Sequence, residues 1–299
     1  MLKRLNIYFK EMYPIIPRFT LCLIIFFEIY FIVLLNSGVT SFVLTVEELV
    51  GGYTVFAFLM WLRIADDFKD YETDKRLFAS RPLPSGRVEK KDLFIICAIV
   101  QVIAVVLNVL YMNNIYFFIF LYLYGFLMSQ WFFQRSKIQP SLPLALVTHN
   151  PVQMIVNIYI ISFTCIKYHL AAFTLTNFLA LWTLYFPALI WEIARKIKAP
   201  QDENDYTTYS KLFGYKKSIG FIFILTWVDI LTNVLLVINL NKISVALLLM
   251  NTCWISFKFI SFIKDPTRYK IVKKVERYTY IQEALMLLTI VIYMMVGKI

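Results

Sequence analysis

The sequence predicts an all-α fold, a polytopic membrane protein of about nine transmembrane helices in a bundle. Three observations predict it. Of the 299 residues, 60% are hydrophobic and 16% charged, against roughly 45–50% and about 25% in soluble domains. Nine apolar runs approach the roughly 20 residues that a helix needs to cross a bilayer core of about 30 Å. The basic residues then fall almost wholly on one side of those runs, as they do when Lys and Arg are kept on the cytoplasmic side.

The runs are 18–38, 41–62, 93–112, 115–133, 142–164, 171–194, 218–238, 243–263 and 279–297. The first follows a basic stretch, as in a signal peptide, but continues without a small-residue cleavage site and reads as a retained span. Polar connections at 63–92, 134–141, 195–217 and 264–278 alternate with very short ones near 39, 113, 167 and 240. With Lys258, the N-terminal side collects 27 of the 30 basic residues, leaving Lys167, Lys242 and Lys298 for the other. The expected topology is an integral, multi-pass protein with a cytoplasmic N-terminus and the C-terminus opposite. A single membrane-embedded domain is expected over 1–299.

With 27 Phe, 19 Tyr and 6 Trp against 8 Gly and 10 Pro, the chain is neither disordered nor of low complexity. Its net charge of +11 is distributed as membrane topology, so nucleic acid is not expected as a partner. Cys22, Cys97, Cys165 and Cys253 lie singly in or beside apolar runs, without the close spacing of a metal or redox motif, and read as packing residues.

The chemistry concentrates in the polar loops. In RIADDFKDYETDKRLFASRPLPSGRV, residues 63 to 88, Asp66, Asp70 and Asp74 are spaced by four, and Asp67 borders them. On one continuing helix each four-residue step rotates about 40° and rises about 6 Å, so the three form a stripe. Like charges so placed repel. Mg²⁺ would resolve the repulsion, since it takes one or two carboxylates, keeps waters and completes its shell with substrate phosphates. A solvated acidic helix end, neutralised by Lys69, Lys75 and Arg76, is the plainer reading. Arg81, Ser85, Gly86 and Arg87 follow in a turn punctuated by Pro82 and Pro84, setting guanidinium groups for phosphate beside carboxylates for metal.

The stretch D-D-F-K-D-Y-E-T-D followed by R-P-L-P-S-G-R resembles the first aspartate-rich motif and following loop of the UbiA superfamily of intramembrane prenyltransferases. That motif usually reads N-D-x-x-D-x-x-x-D, then R-P-L-x-S-G. Asp67, Asp70 and Asp74 match it, and Asp66 stands where the family usually has Asn. The resemblance implies nine spans, a central cavity opening toward the cytoplasmic side, and two Mg²⁺ ions holding an isoprenyl diphosphate. It makes Asp67, Asp70 and Asp74 catalytic, with Asp66 a further metal ligand.

The resemblance also implies a second acidic motif, here WEIARKIKAPQDENDYTTYSKLFG, residues 191 to 214. Its tail T-Y-S-K-L-F-G fits, but Lys196 follows Glu192 at the four-residue step where a carboxylate is usual. Glu192, Asp202 and Glu203 are the candidates for the second metal, Asp205 lies with them, and Arg195 and Lys196 are available for phosphate. A charged loop anchoring a helix end is the alternative. A basic pair on the fourth span often reaches the diphosphate in this family, so Arg135 and Lys137 are candidates beside Arg81 and Arg87, with a juxtamembrane pair that follows the positive-inside rule as the alternative.

His149 and Asn150, before Pro151, lie in an apolar run where polar groups are costly and tend to be functional. They are candidates to line an acceptor pocket, against hydrogen-bonded packing residues. Glu28, Glu47, Glu48, Asp229 and Glu283 are further intramembrane carboxyls. Glu47 and Glu48 read as facing water, and Glu28 as paired with a base or lining the cavity.

The expected function is Mg²⁺-dependent transfer of an isoprenyl group to a lipophilic or aromatic acceptor through an allylic carbocation. The diphosphate would sit between the two acidic segments, with the tail in the bundle. A terpene cyclase of the same family and a membrane transporter are the alternatives. Against a transporter stand the absence of an obvious internal repeat and the lack of Gly/Pro breaks at matched positions.

Overall fold

The computed structural model describes residues 1–203 and 206–297. Asp205 and Lys298 therefore lie outside the described residues. The chain divides into two compact units, one of Met1–Phe27, Phe42–Arg135 and Ile158–Leu170, the other of Glu28–Ser41, Ser136–Asn157 and Ala171–Ile299.

The helices are α1 (Leu2–Glu11), α2 (Ile15–Asn36), α3 (Val46–Lys69), α4 (Tyr71–Leu77), α5 (Lys90–Tyr111), α6 (Ile115–Ser129), α7 (Arg135–Ile138) and α8 (Leu142–His149). They continue with α9 (Val152–Lys167), α10 (Leu175–Trp182), α11 (Tyr185–Ala194), α12 (Tyr209–Phe213), α13 (Tyr215–Val237), α14 (Lys242–Lys264) and α15 (Ile271–Val296). Among the described residues there are no strands, and eight segments are long and apolar enough to cross a membrane. The outward faces are greasy: on α5, Val102 and Val109 are 62% and 64% exposed, where a helix bathed in water would carry polar residues.

The ninth expected span is shorter than its apolar run. α6 has 15 residues, about 22 Å at 1.5 Å each, less than the roughly 30 Å of a hydrocarbon core. The run 115–133 does not end as helix, because Trp131, Phe132 and Phe133 all take left-handed φ, at 52°, 49° and 57°. α6 lies close on α3 at Gly125, where an added Cβ would come within 2.6 Å of Trp61 and 2.7 Å of Phe58.

Two expected spans are broken. Run 142–164 is cut between α8 and α9 at Asn150–Pro151, as expected where Pro has no N–H to give a helix. Run 171–194 is cut between α10 and α11, where Leu184 adopts φ 61°. The carbonyls freed there are met by Asn157, whose amide reaches Thr183 at 2.7 Å, Leu181 at 3.0 Å and Ala180 at 3.4 Å. Irregular backbone at membrane depth is tolerated when its polar groups find such partners.

Within the first unit, polar pairs tie the apolar helices together. Asn108 of α5 donates to Thr54 of α3 at 2.7 Å and accepts from the Tyr159 hydroxyl of α9 at 3.0 Å. Thr45 and Glu48 form a capping box at the start of α3. Glu48 does not face water as expected: it is fully buried and paired with Lys167 at 2.5 Å, while Glu47 meets the same lysine at 2.9 Å. Of the cysteines, Cys22, Cys97 and Cys165 are buried, whereas Cys253 is exposed.

The second unit has its own core, in which Ile190 and Ile193 of α11, Ile222 of α13, Phe259 of α14 and Tyr278 of α15 are buried together. α15 begins eight residues before the expected run, because Ile271, Val275 and Tyr278 recur at helical spacing and pack into that core.

Candidate functional site

The first acidic segment sits where α3 gives way to α4. Asp70 separates them with φ −100° and ψ 10°, so the expected stripe bends at its middle residue. Two backbone bonds bridge the bend, from Asp70 N–H to the Asp66 carbonyl at 2.9 Å and from Asp74 N–H to the Asp70 carbonyl at 2.8 Å.

The four carboxylates separate into two environments. Asp67 is 5% exposed and accepts from the Tyr8 hydroxyl and from Arg63 Nη2, each at 2.6 Å. Asp74 accepts from Arg81 Nη1 at 2.6 Å, and Arg81 lies 4.2 Å from the Phe78 ring. Asp67, Asp74, Tyr8 and Arg81 line one narrow cleft. Asp66 instead pairs with Lys69 at 2.8 Å, and Lys69 lies 4.6 Å from the Trp131 ring. Asp70 has no ion pair among the described residues. Burial raises its carboxyl above the ordinary range; Lys69 opposes this, Asp66 and Asp74 add to it, and Arg135 opposes it.

Next to this end of α3 opens a groove of about 700 Å³ in the first unit. Trp61, Phe68, Phe94, Phe126 and Trp131 give it aromatic walls, and Lys69 and Arg135 supply its positive charge. From Trp61 to Lys69 the α3 wall rises about 12 Å. An apolar trough of this kind, with cations at the end beside Asp66 and Asp70, suits an amphiphile with an anionic head.

Tyr8, Arg63 and Lys69 were not among the expected site residues. The i,i+4 spacing of Arg63 and Asp67 and the i,i+3 spacing of Asp66 and Lys69 were readable. Tyr8 was not, because it arrives on α1, a helix anchored by tertiary ion pairs. Arg4 holds Asp92 of α5 through Nε at 2.5 Å and Nη2 at 3.0 Å. Arg87, expected on the diphosphate, binds Glu11 of α1 at 2.5 and 2.8 Å and the Ser80 carbonyl at 2.6 Å.

In the second unit, Glu192 on α11 pairs with Arg195 at 2.5 Å and with Lys196 at 3.0 Å. Its two expected phosphate cations thus sit on one carboxylate. Glu203 accepts from the Thr208 hydroxyl at 2.8 and 2.9 Å and from Ser210 at 2.5 Å, holding the turn into α12. Asp202 is exposed in a 3-10 turn and lines a pocket of about 330 Å³ with Arg195, Lys198 and Lys270. Lys137 is exposed on α7. His149 closes α8, its Nδ1 2.9 Å from the Thr148 hydroxyl, and Asn150 hydrogen-bonds Tyr185.

Among the described residues no three His, Cys, Asp or Glu side chains are grouped to hold a metal. That is compatible with Mg²⁺, for which one or two carboxylates suffice beside phosphate and water. Asp70, with no ion pair among the described residues, and the half-exposed Asp66 fit this mode. Asp67 and Asp74 are already met by guanidinium groups.

No protein-family model and no curated protein matches the chain. A solved structure of digeranylgeranylglyceryl phosphate synthase in membranes is similar, with a TM-score of 0.61 and 17% identity over 97% of this chain and 98% of that one. The likeness concerns the fold, which is the polytopic helical membrane fold implied by the aspartate-rich motif.

Proposed function

We propose that the chain is an intramembrane prenyltransferase that binds an isoprenyl diphosphate along the groove of its first unit. The observation that carries this reading is the aromatic trough ending at Lys69 and Arg135 beside Asp66 and Asp70. Fold likeness to a membrane synthase supports it. Lys69 and Arg135 take oxygens of the diphosphate, and the tail lies against Trp61, Phe68, Phe94, Phe126 and Trp131. Asp66 and Asp70 are the residues that would hold Mg²⁺, with Asp74 adjoining. The ion, when bound, supplies positive charge that offsets the negative charge gathering on the leaving group.

The allylic C–O bond breaks and its electron pair leaves with the diphosphate. The acceptor, lipophilic or aromatic, forms a new bond to the allylic carbon and gives up a proton. Aromatic faces along the groove stabilise the intervening cation, and apolar walls keep water from capturing it. Tyr8, Arg63 and Arg81 fix Asp67 and Asp74, which makes these two carboxylates the frame of the site. In the second unit, Glu192 with Arg195 and Lys196 offers the same chemistry, and we assign it to the same class of ligand. Asp202 adjoins Arg195, and His149 with Asn150 is proposed for the acceptor. From the bias of Lys and Arg we assign the acidic segments to the cytoplasmic side.

The test is Mg²⁺-dependent diphosphate release from isoprenyl diphosphates of several lengths by the purified protein, with products identified by mass spectrometry. Asp70→Asn and Lys69→Gln are each expected to lower kcat/KM at least about 100-fold, near 2.7 kcal/mol. Wild-type turnover in both variants would refute the assignment. Release without any prenylated acceptor would favour cyclisation.

A further inference from the structure

Three carboxyls of the second unit lie near the middle of membrane-length helices: Glu28 in α2, Asp229 in α13 and Glu283 in α15. Asp229 is fully buried and well supplied with donors. Asn233 Nδ2 reaches Oδ1 at 2.8 Å, the Tyr278 hydroxyl reaches Oδ2 at 3.3 Å, and the Gln282 side chain adds a third bond. Glu28 is also fully buried, yet no donor reaches either of its oxygens. The group it meets is the carboxyl of Glu283, whose Oε2 is likewise buried without a partner. Gln282, which bonds to Asp229, leaves its own buried Oε1 unmatched. Among the described residues no Lys or Arg forms an ion pair with any of the three carboxyls. The titratable groups facing the pair are Asp229 from α13 and Tyr278 from α15.

Every unmatched atom in this set is an oxygen that accepts. Two facing carboxyls in apolar surroundings cannot both be ionised without positive charge between them. Glutamine, with its own N–H donors, would serve packing at lower cost. We propose that Glu28 and Glu283 form an intramembrane small-cation site that shares one proton between the two carboxyls at neutral pH and exchanges it for Na⁺. Asp229, held by three donors, is the fixed neighbour and not part of the exchange. The site is independent of the diphosphate chemistry and does not require it.

The experiment uses the full-length protein purified in detergent, at pH 7. Infrared absorption by un-ionised carboxyl is expected in the wild type, lost in Glu28→Gln/Glu283→Gln, and weakened when Na⁺ replaces choline. A spectrum unchanged by the double substitution overturns the site, and a band indifferent to Na⁺ overturns the exchange. A hydrophobic carbodiimide, which attacks protonated carboxyls, gives a second reading on the wild type alone. Peptide mass spectrometry is expected to find the adduct on Glu28 or Glu283 and to find less of it in Na⁺. Absence from both glutamates overturns the proposal.

Discussion

Asp70 shows how one residue trades stability against chemistry. Burial and two neighbouring carboxylates raise its proton affinity in the folded state. The stability associated with this carboxyl is therefore fullest at low pH and is lost as pH rises from the ordinary carboxylate range through the raised folded value. Asp70→Asn is accordingly expected to melt higher than wild type near pH 7 while losing turnover, and the difference should vanish toward pH 4. Thermal melts of the two proteins across that range measure it, and a variant less stable than wild type at pH 7 would contradict it. Tyr8 is shifted in the same direction, but as a phenol it stays neutral and keeps its proton to donate. Its burial, with Asp67 beside it, holds the phenol well above its ordinary pKa, so it stays a donor at all working pH values. Tyr8→Phe removes a hydrogen bond to a buried carboxylate and is expected to cost roughly 1.5–3 kcal/mol by chemical denaturation. Arg63 still holds Asp67, so binding of diphosphate should weaken less than stability does.

At the scale of elements, the break between α10 and α11 depends on a side chain from α9. Asn157 satisfies carbonyls that an unbroken helix would pair internally, and Gln153 fixes its orientation by donating to Oδ1 at 3.1 Å. Asn157→Ala leaves those carbonyls unmatched in apolar surroundings, an expected loss of roughly 2–3 kcal/mol. Asn157→Asp, which cannot donate, should be at least as harmful. Detergent thermal shift on the three proteins decides the matter: an alanine variant as stable as wild type would show that the break holds without it. The same physics explains which element boundaries were legible. Pro151 announces its own interruption, whereas Leu184 is an ordinary residue in a left-handed conformation that carries no mark in the sequence. The bend at Asp70 is equally silent, since DFKDYETD has no Gly or Pro.

For the whole molecule, the sidedness of charge is the strongest constraint, with 27 of 30 basic residues assigned to one face. That bias is expected to hold the N-terminus in the cytoplasm. A reporter active only in the cytoplasm should work when fused at the N-terminus and fail at the C-terminus; activity at the C-terminus would mean an even number of crossings. The count is sensitive to α6, whose 15 residues cross only if the bilayer thins or flanking residues reach outward.

Sequence by itself determined that the chain is a helical membrane protein and where its polar chemistry is concentrated, because hydrophobic length and the sign of charge are properties of composition along the chain. It also set the aspartates of 66–74 beside basic residues. Tertiary structure decided which of those aspartates are free. Asp67 and Asp74 are engaged by Tyr8, Arg63 and Arg81, and Asp70 is left without an ion pair among the described residues. It also brought Glu28 to Glu283 across 255 positions of sequence. Carboxylates look alike in a string of letters; their partners come from other helices, and it is the partner that fixes charge, proton affinity and availability for metal.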